Sequence, residues 1–378
     1  MLLLSGCARF RHEEHSYVYV SARQVYLHDR VAAVSNRVGL VTNGEALEVV
    51  ERGKRFTKVR TPKGEVGWLE DHAIIDDKLF AQFEDLNKGH AGDPVVATGA
   101  LRDDLYLHLT PGRETPHFLV IAGNTKVQLL ERGTIAKAAA PGAPKPVVAP
   151  SATGTEAAAA PPVPMEDWWL VRDSAGHSGW LLARQLDVDV PDEVGEYAEG
   201  QRMVAAYPIA KVMDSGVEHV HKADKNKTSK QVKDAEDDAS AAPVSSEHTE
   251  YVTVLAPPRG GLPYDFDQLR VFTWSLNHHR YETAYRLHGV HGYLPVRLSS
   301  ETVNGQSFPA FSFAIATGPD VTVDAATGVT RPVAPRTLAF RLEGNLVRRT
   351  GVDQAPIVLT HDSEEPGKAK AAGKKKKH

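Results

Sequence analysis

The sequence predicts an all-β protein: two tandem small barrels followed by a C-terminal antiparallel β-domain, joined by disordered linkers. Three observations carry that prediction. First, Gly64-Glu65-Val66-Gly67-Trp68-Leu69 returns as Gly176-His177-Ser178-Gly179-Trp180-Leu181 and, weakened, as Gly289-Val290-His291-Gly292-Tyr293-Leu294. Second, the neighbours of the first two copies travel with them. Phe56 and Val59-Arg60 map onto Trp168 and Val171-Arg172 at the offset of 112 that relates Trp68 to Trp180, while Tyr26-Leu27-His28 and Glu51-Arg52-Gly53 map onto Tyr106-Leu107-His108 and Glu131-Arg132-Gly133 at an offset of 80. The 32-residue difference is an insertion in the second copy. Third, the apolar residues of each copy fall in short alternating runs punctuated by Gly, as strands joined by turns do.

In chain order, Leu2-Leu3-Leu4-Ser5-Gly6-Cys7 resembles a lipobox, the site after which a lipoprotein signal is cut and whose cysteine receives lipid. The resemblance implies lipid attachment at Cys7. No Lys or Arg precedes the short apolar run, so residues 1–20 are read as a truncated lipoprotein signal and spacer whose start lies upstream. Cys7 is the only cysteine, which excludes an intrachain disulfide, a cysteine metal cluster and a redox pair. No apolar run of about 18 residues is present to form a transmembrane helix, so membrane attachment rests on Cys7. A formal net charge of −4, spread along the chain, argues against nucleic acid as a partner.

Residues 21–76 form the first domain, with strands expected at Val25 to His28, Leu47 to Val50, Phe56 to Arg60 and Gly67 to Leu69, and turns at Gly44, Gly53 and Pro62-Lys63-Gly64. Residues 77–100 are a connector in which Leu79, Phe80, Phe83 and Leu86 have helical spacing that stops at Gly89, before a β segment from Asp93 to Ala97. Residues 101–210 form the second domain, interrupted at about 134–165 by an Ala/Pro-rich insertion too poor in large apolar side chains to bury a core. An entry strand, an apolar strand, an aromatic-x-x-Val-Arg strand and then Gly-x-x-Gly-Trp-Leu resemble the bacterial SH3 (SH3b) family. The likeness covers about 25–75 and 105–187. It implies two SH3-like barrels.

Residues 211–249 are a mixed-charge tract without aromatics, read as a disordered linker. Residues 250–352 resume as about six antiparallel strands, either a small sandwich or a third SH3-like unit around Gly289 to Leu294. Residues 353–378 are a Lys-rich tail, read as disordered and solvated. His278-His279, His288 and His291 cluster in sequence, yet adjacent strand residues point to opposite faces, and no metal site or cofactor is expected.

No enzyme is expected. SH3b domains often accompany wall hydrolases with a cysteine nucleophile, but the one cysteine here sits in the lipobox. Neither a Gly-x-Ser-x-Gly elbow nor Ser-x-x-Lys, His-Glu-x-x-His, a P-loop or a dinucleotide fingerprint is present. Binding remains. If Val59 packs inward, Phe56 faces outward; likewise Trp169 and Val171 face inward and Trp168 outward. Tyr26, Phe56, Tyr106 and Trp168 are therefore the expected ligand groove, and Trp68, Trp180 and Tyr293 the expected core aromatics of the repeat motif. The reading is a lipid-anchored protein of the cell envelope, periplasm-facing and on the outer membrane, that binds peptidoglycan or an envelope protein or peptide. Its rivals are a structural scaffold without a free groove and a cell-wall hydrolase with its site in the C-terminal domain.

Overall fold

The computed structural model of the protein describes residues 16–138 except 33, 163–215 and 245–357. Cys7, most of the Ala/Pro-rich insertion, the middle of the charged tract and nearly all of the Lys-rich tail lie outside them. The chain divides into two units: residues 1–189 with Val323–Thr330, and Val190–Thr322 with the residues from Arg331 onward.

In the first unit, β1 (Tyr17–Val20), β2 (Gln24–His28), β3 (Arg37–Thr42), β4 (Ala46–Arg52), β5 (Phe56–Arg60), β6 (Val66–Glu70) and β7 (Ile74–Asp76) form one sheet in the order β3-β2-β6-β5-β4-β1-β7. Helix α1 (Asp77–His90) leads to β8 (Ala97–Leu101), β9 (Leu105–His108), β10 (His117–Ile121), β11 (Lys126–Ala136), β12 (Met165–Arg172), β13 (Ser178–Leu182) and β14 (Leu186–Val188), in the order β10-β9-β13-β12-β11-β8-β14. Strand for strand the two orders are the same, so the duplication read in the sequence is a duplication of topology. The edge strands β3 and β7 are not hydrogen-bonded to each other. Each repeat is thus an open sheet and not a closed barrel, although Val18, Leu27, Val41, Leu47, Val59 and Leu69 from six strands of the first meet in one buried cluster.

The repeated second glycine of Gly-x-x-Gly-Trp-Leu has a packing cause. A Cβ on Gly67 would lie 2.8 Å from Leu27 Cβ, and one on Gly179 would lie 2.6 Å from Leu107 Cβ, so β6 and β13 approach their neighbours only as glycine. Helix α1 follows its predicted spacing. Asp76 caps it by accepting a hydrogen bond from the Leu79 amide (2.8 Å), and Phe83 is buried against Ile75 and Phe118. Phe80 stacks on Tyr19, with centroids 3.6 Å apart. The Asn43 side chain donates to the Ser21 and Phe118 carbonyls and accepts from the Val120 amide, tying the two repeats to each other. At the insertion, Ala136 pairs with Met165 and the Lys137 amide donates to the Pro164 carbonyl (2.8 Å), so β11 and β12 stay paired to both edges of it.

The second unit opens with the short helix α2 (Asp192–Gly195), then β15 (Arg202–Asp214), β16 (Ser246–Ala256), β17 (Phe266–Ser275), β18 (Arg280–Val303), β19 (Gln306–Ala316), the ribbon β20 (Val321–Val323) and β21 (Thr330–Pro332), whose connecting segment Val323–Thr330 belongs to the first unit, and β22 (Pro335–Glu343) and β23 (Leu346–Thr350). Seven of these strands form a meander, β15-β16-β17-β18-β19-β22-β23. This differs from the order of the repeats, so the third echo is not a third copy. Its glycine has another cause: Gly292 pairs with Phe266, whose ring occupies the space a Cβ would take, 2.2 Å away.

Two boundaries move. Residues 202–209 belong to the C-terminal sheet and not to the second repeat, and the expected linker at 211–249 is strand at both ends, where Asp214 pairs with Ser246 and Glu250 with Ala210. Charges such as Lys211 and Glu247, which bond across the exposed face (2.5 Å), made a solvated strand pair look like linker. At the other end, Arg336 and Arg349 hold Asp353 and Ala355, so the ordered chain runs past residue 352.

Candidate binding site

Strand parity places Phe56 with Lys58 on one face of β5 and Thr57 with Val59 on the other, because side chains alternate along a strand. Thr57 and Val59 are buried, and Phe56 is half-buried. Lys58 pairs with Trp68 on β6, which in turn bridges to His28 on β2. Phe56, Trp68, Tyr26 and His28 line one cavity of about 560 Å³, together with Arg30, Ser35 and His72. Trp68 is a groove residue and not the core aromatic expected of it; the first repeat's buried cluster contains no aromatic. The His28 Nδ1 lies 2.9 Å from the Ser35 hydroxyl. The Arg37 guanidinium covers Tyr26 at 4.0 Å from the ring centroid, leaving it 37 % exposed.

The second repeat builds the same site at the same offsets. Trp180 bridges to His108, whose Nδ1 lies 3.0 Å from the Thr115 hydroxyl, and His117 packs on Tyr106 with centroids 4.7 Å apart. The Thr115 hydroxyl also lies 2.8 Å from the Thr110 carbonyl and 2.7 Å from the Gly112 carbonyl, its one proton shared between them, so the hydroxyl beside the imidazole stitches a loop in place. Trp168 lies on the groove side as parity requires, and its neighbour Trp169 on the other.

Yet Trp168 and Trp180 are each only 2 % exposed. They are covered by a piece of chain far away in sequence. Val329, itself 4 % exposed, joins Trp168, Trp180, Leu130, Leu170 and Leu182 in one cluster. Gly133 pairs antiparallel with Val329, and the Thr134 amide donates to the Gly328 carbonyl (3.0 Å). A Cβ on Gly133 would meet the Thr327 carbonyl at 2.1 Å. The covering turn is internally fixed: the Asp324 carboxylate accepts from the Ala326 and Thr327 amides and the Thr327 hydroxyl, and Gly328 adopts φ +67°.

Burial, reinforced by His117, pushes the His108 imidazole down to about 4, so it is neutral at physiological pH. Tyr293, the third expected core aromatic, is buried and donates to the Pro263 carbonyl (2.9 Å). His278 lies 2.7 Å from Glu282 and His279 2.6 Å from Asp214. Among the described residues no group of three or more His, Cys, Asp or Glu is placed to hold a metal. Sequence reasoning missed the His28–Ser35 and His108–Thr115 pairs, although Ser35 and Thr115 stand at the offset of 80 already in hand, and it missed the covering turn.

No family model and no curated protein matches the chain. Among solved structures it is similar to NlpC2 from Trichomonas vaginalis (9 % identity, TM-score 0.15, covering 49 % of this chain and 53 % of that one). It is similar also to an NlpC/P60 family protein from Bacillus cereus (12 %, 0.22, 49 % and 63 %) and to NlpC1 from Trichomonas vaginalis (9 %, 0.16, 75 % and 92 %). The chain spans less than two thirds of the length of the first two.

Proposed function

We propose that the protein is a non-enzymatic, lipid-anchored protein of the cell envelope whose repeats are SH3-like and whose first repeat binds peptidoglycan or an envelope protein. One observation carries the binding reading: of two grooves built alike, one is filled by the chain itself and the other is open among the described residues, with Phe56 and Trp68 lining it. Aromatics presented in a concave site supply contact area at low entropic cost and are the residues on which binding energy concentrates. The rival reading, a scaffold without a free groove, is favoured by the Asn43 tie between the repeats and fits the second groove, but not the first.

Isolated cell-wall sacculi should retain the full chain, and retention of Phe56→Ala and Trp68→Ala should fall at least ten-fold, which corresponds to about 1.4 kcal/mol. Equal retention of the variants would remove the groove from the account, and no retention of any form would remove peptidoglycan.

The envelope location rests on the lipobox resemblance at Cys7. Expressed behind a complete export signal, the protein should sediment with membranes, and Cys7→Ser should be released, because diacyl or triacyl attachment holds where a single chain does not. A Cys7→Ser protein that still sediments at high salt would place the anchor elsewhere.

A further inference from the structure

The filled groove indicates what the open one accepts. We infer that the cavity of the first repeat takes a turn-forming peptide from another polypeptide, with a glycine carbonyl at the end of β4 and a branched aliphatic side chain on Phe56 and Trp68. This rests on reading that cavity as a binding site. In the second repeat the Thr327-Gly328-Val329 segment adds one bridge to the β11 edge and drops Val329 onto Trp168 and Trp180. Such edge pairing with a pocketed side chain is a general mode of peptide recognition. Gly53 is the counterpart of Gly133 and stands in the same relation to its tryptophan: a Cβ would lie 3.7 Å from the Trp68 ring, as one on Gly133 would lie 3.1 Å from Trp180. Beyond Val49, whose amide donates to the Ser16 carbonyl, β4 pairs only with β5 among the described residues, none of which pairs with the other side of Glu51 to Gly53.

The occupant is not the covering turn of a second copy. Each copy carries one such turn and uses it, so exchange between copies would fill one groove by emptying another. The two floors also differ in a way that sets specificity. Leu170 and Leu182, which flank Val329, correspond to Lys58 and Glu70 in the first repeat, and the Lys58 ammonium lies 5.8 Å from the Trp68 ring centroid. The first groove thus sets Lys58 and Glu70 beside its aromatic floor, where the second sets Leu170 and Leu182 beside Val329.

The probe is a synthetic peptide of residues 320–333, closed head to tail to hold its turn, titrated calorimetrically into the full chain. One-to-one binding is expected, weakened at least ten-fold by Trp68→Ala in the protein or by Val329→Asp in the peptide. Absence of binding, or undiminished binding to Trp68→Ala through exchange at the second groove, would overturn the inference. Sacculi separate it from the envelope reading. Trp68-dependent retention on sacculi without peptide binding sinks the inference alone, whereas Trp68-dependent peptide binding without retention sinks peptidoglycan as the target and leaves the peptide site standing.

Discussion

Trp180→Ala should destabilise the first unit by about 3–5 kcal/mol, the range for removing a buried aromatic, whereas Trp68→Ala should cost about 1 kcal/mol or less. The two residues occupy the same place in the same topology, so neither propensity nor strand position separates them. Their surroundings do. Removing the Trp180 ring opens a cavity roofed by Val329 and walled by Leu130, Leu170 and Leu182, which the paired strands β11, β12 and β13 cannot collapse to fill. Removing the Trp68 ring enlarges a groove already open, and the vacated space passes to solvent. Trp168→Ala and Phe56→Ala should divide in the same way. Urea melts of the four variants measure this directly. If Trp68→Ala unfolds the first unit as readily as Trp180→Ala, Trp68 is core and the cavity beside it has no binding role.

Arg270→Ala should destabilise the second unit by a similar amount, about 3–5 kcal/mol, and Arg270→Met by clearly less. Arg270 lies inside β17 at 2 % exposure, where its guanidinium donates to the Tyr197 carbonyl, the Glu199 carboxylate (2.8 Å) and the Gln268 side chain (3.1 Å). Truncation to alanine leaves the buried Gln268 oxygen and the Tyr197 carbonyl without this donor and vacates the buried space the side chain fills. Methionine fills much of the volume and brings no charge to desolvate. Arg270 also holds the Glu199 carboxyl below its ordinary range, through a hydrogen bond aided by charge. Thermal melts of the two variants supply the check; a methionine variant as unstable as the alanine one would show that the hydrogen bonds, and not the filled space, hold this segment.

The outcomes differ in how far they were legible. Helix α1 was readable because its apolar spacing and the glycine near its end are local. The end strands of the charged tract were not: Lys211 and Glu247 are favourable in a linker and on an exposed strand face alike, and only the partner strand distinguishes the two. The glycine echo in β18 misled because Gly satisfies any close approach, whether to Leu27 in a repeat or to the Phe266 ring in the meander. Trp68 was read as core because a tryptophan beside a tight glycine usually is; in β6 the glycine faces the core and the tryptophan, one residue on, faces the groove.

By itself the sequence determined the duplication, its two offsets, the place of the insertion, and through strand parity which side chains share a face, since each of these follows from spacing along one chain. Only the tertiary structure decided which of the two matching grooves is open. That choice rests on Val329, brought to Trp168 and Trp180 from well over a hundred residues away by a turn that Asp324 and Gly328 fix. A contact of that separation leaves no periodicity or spacing in the sequence around either partner, because it is specified by the fold that carries the turn to the β11 edge.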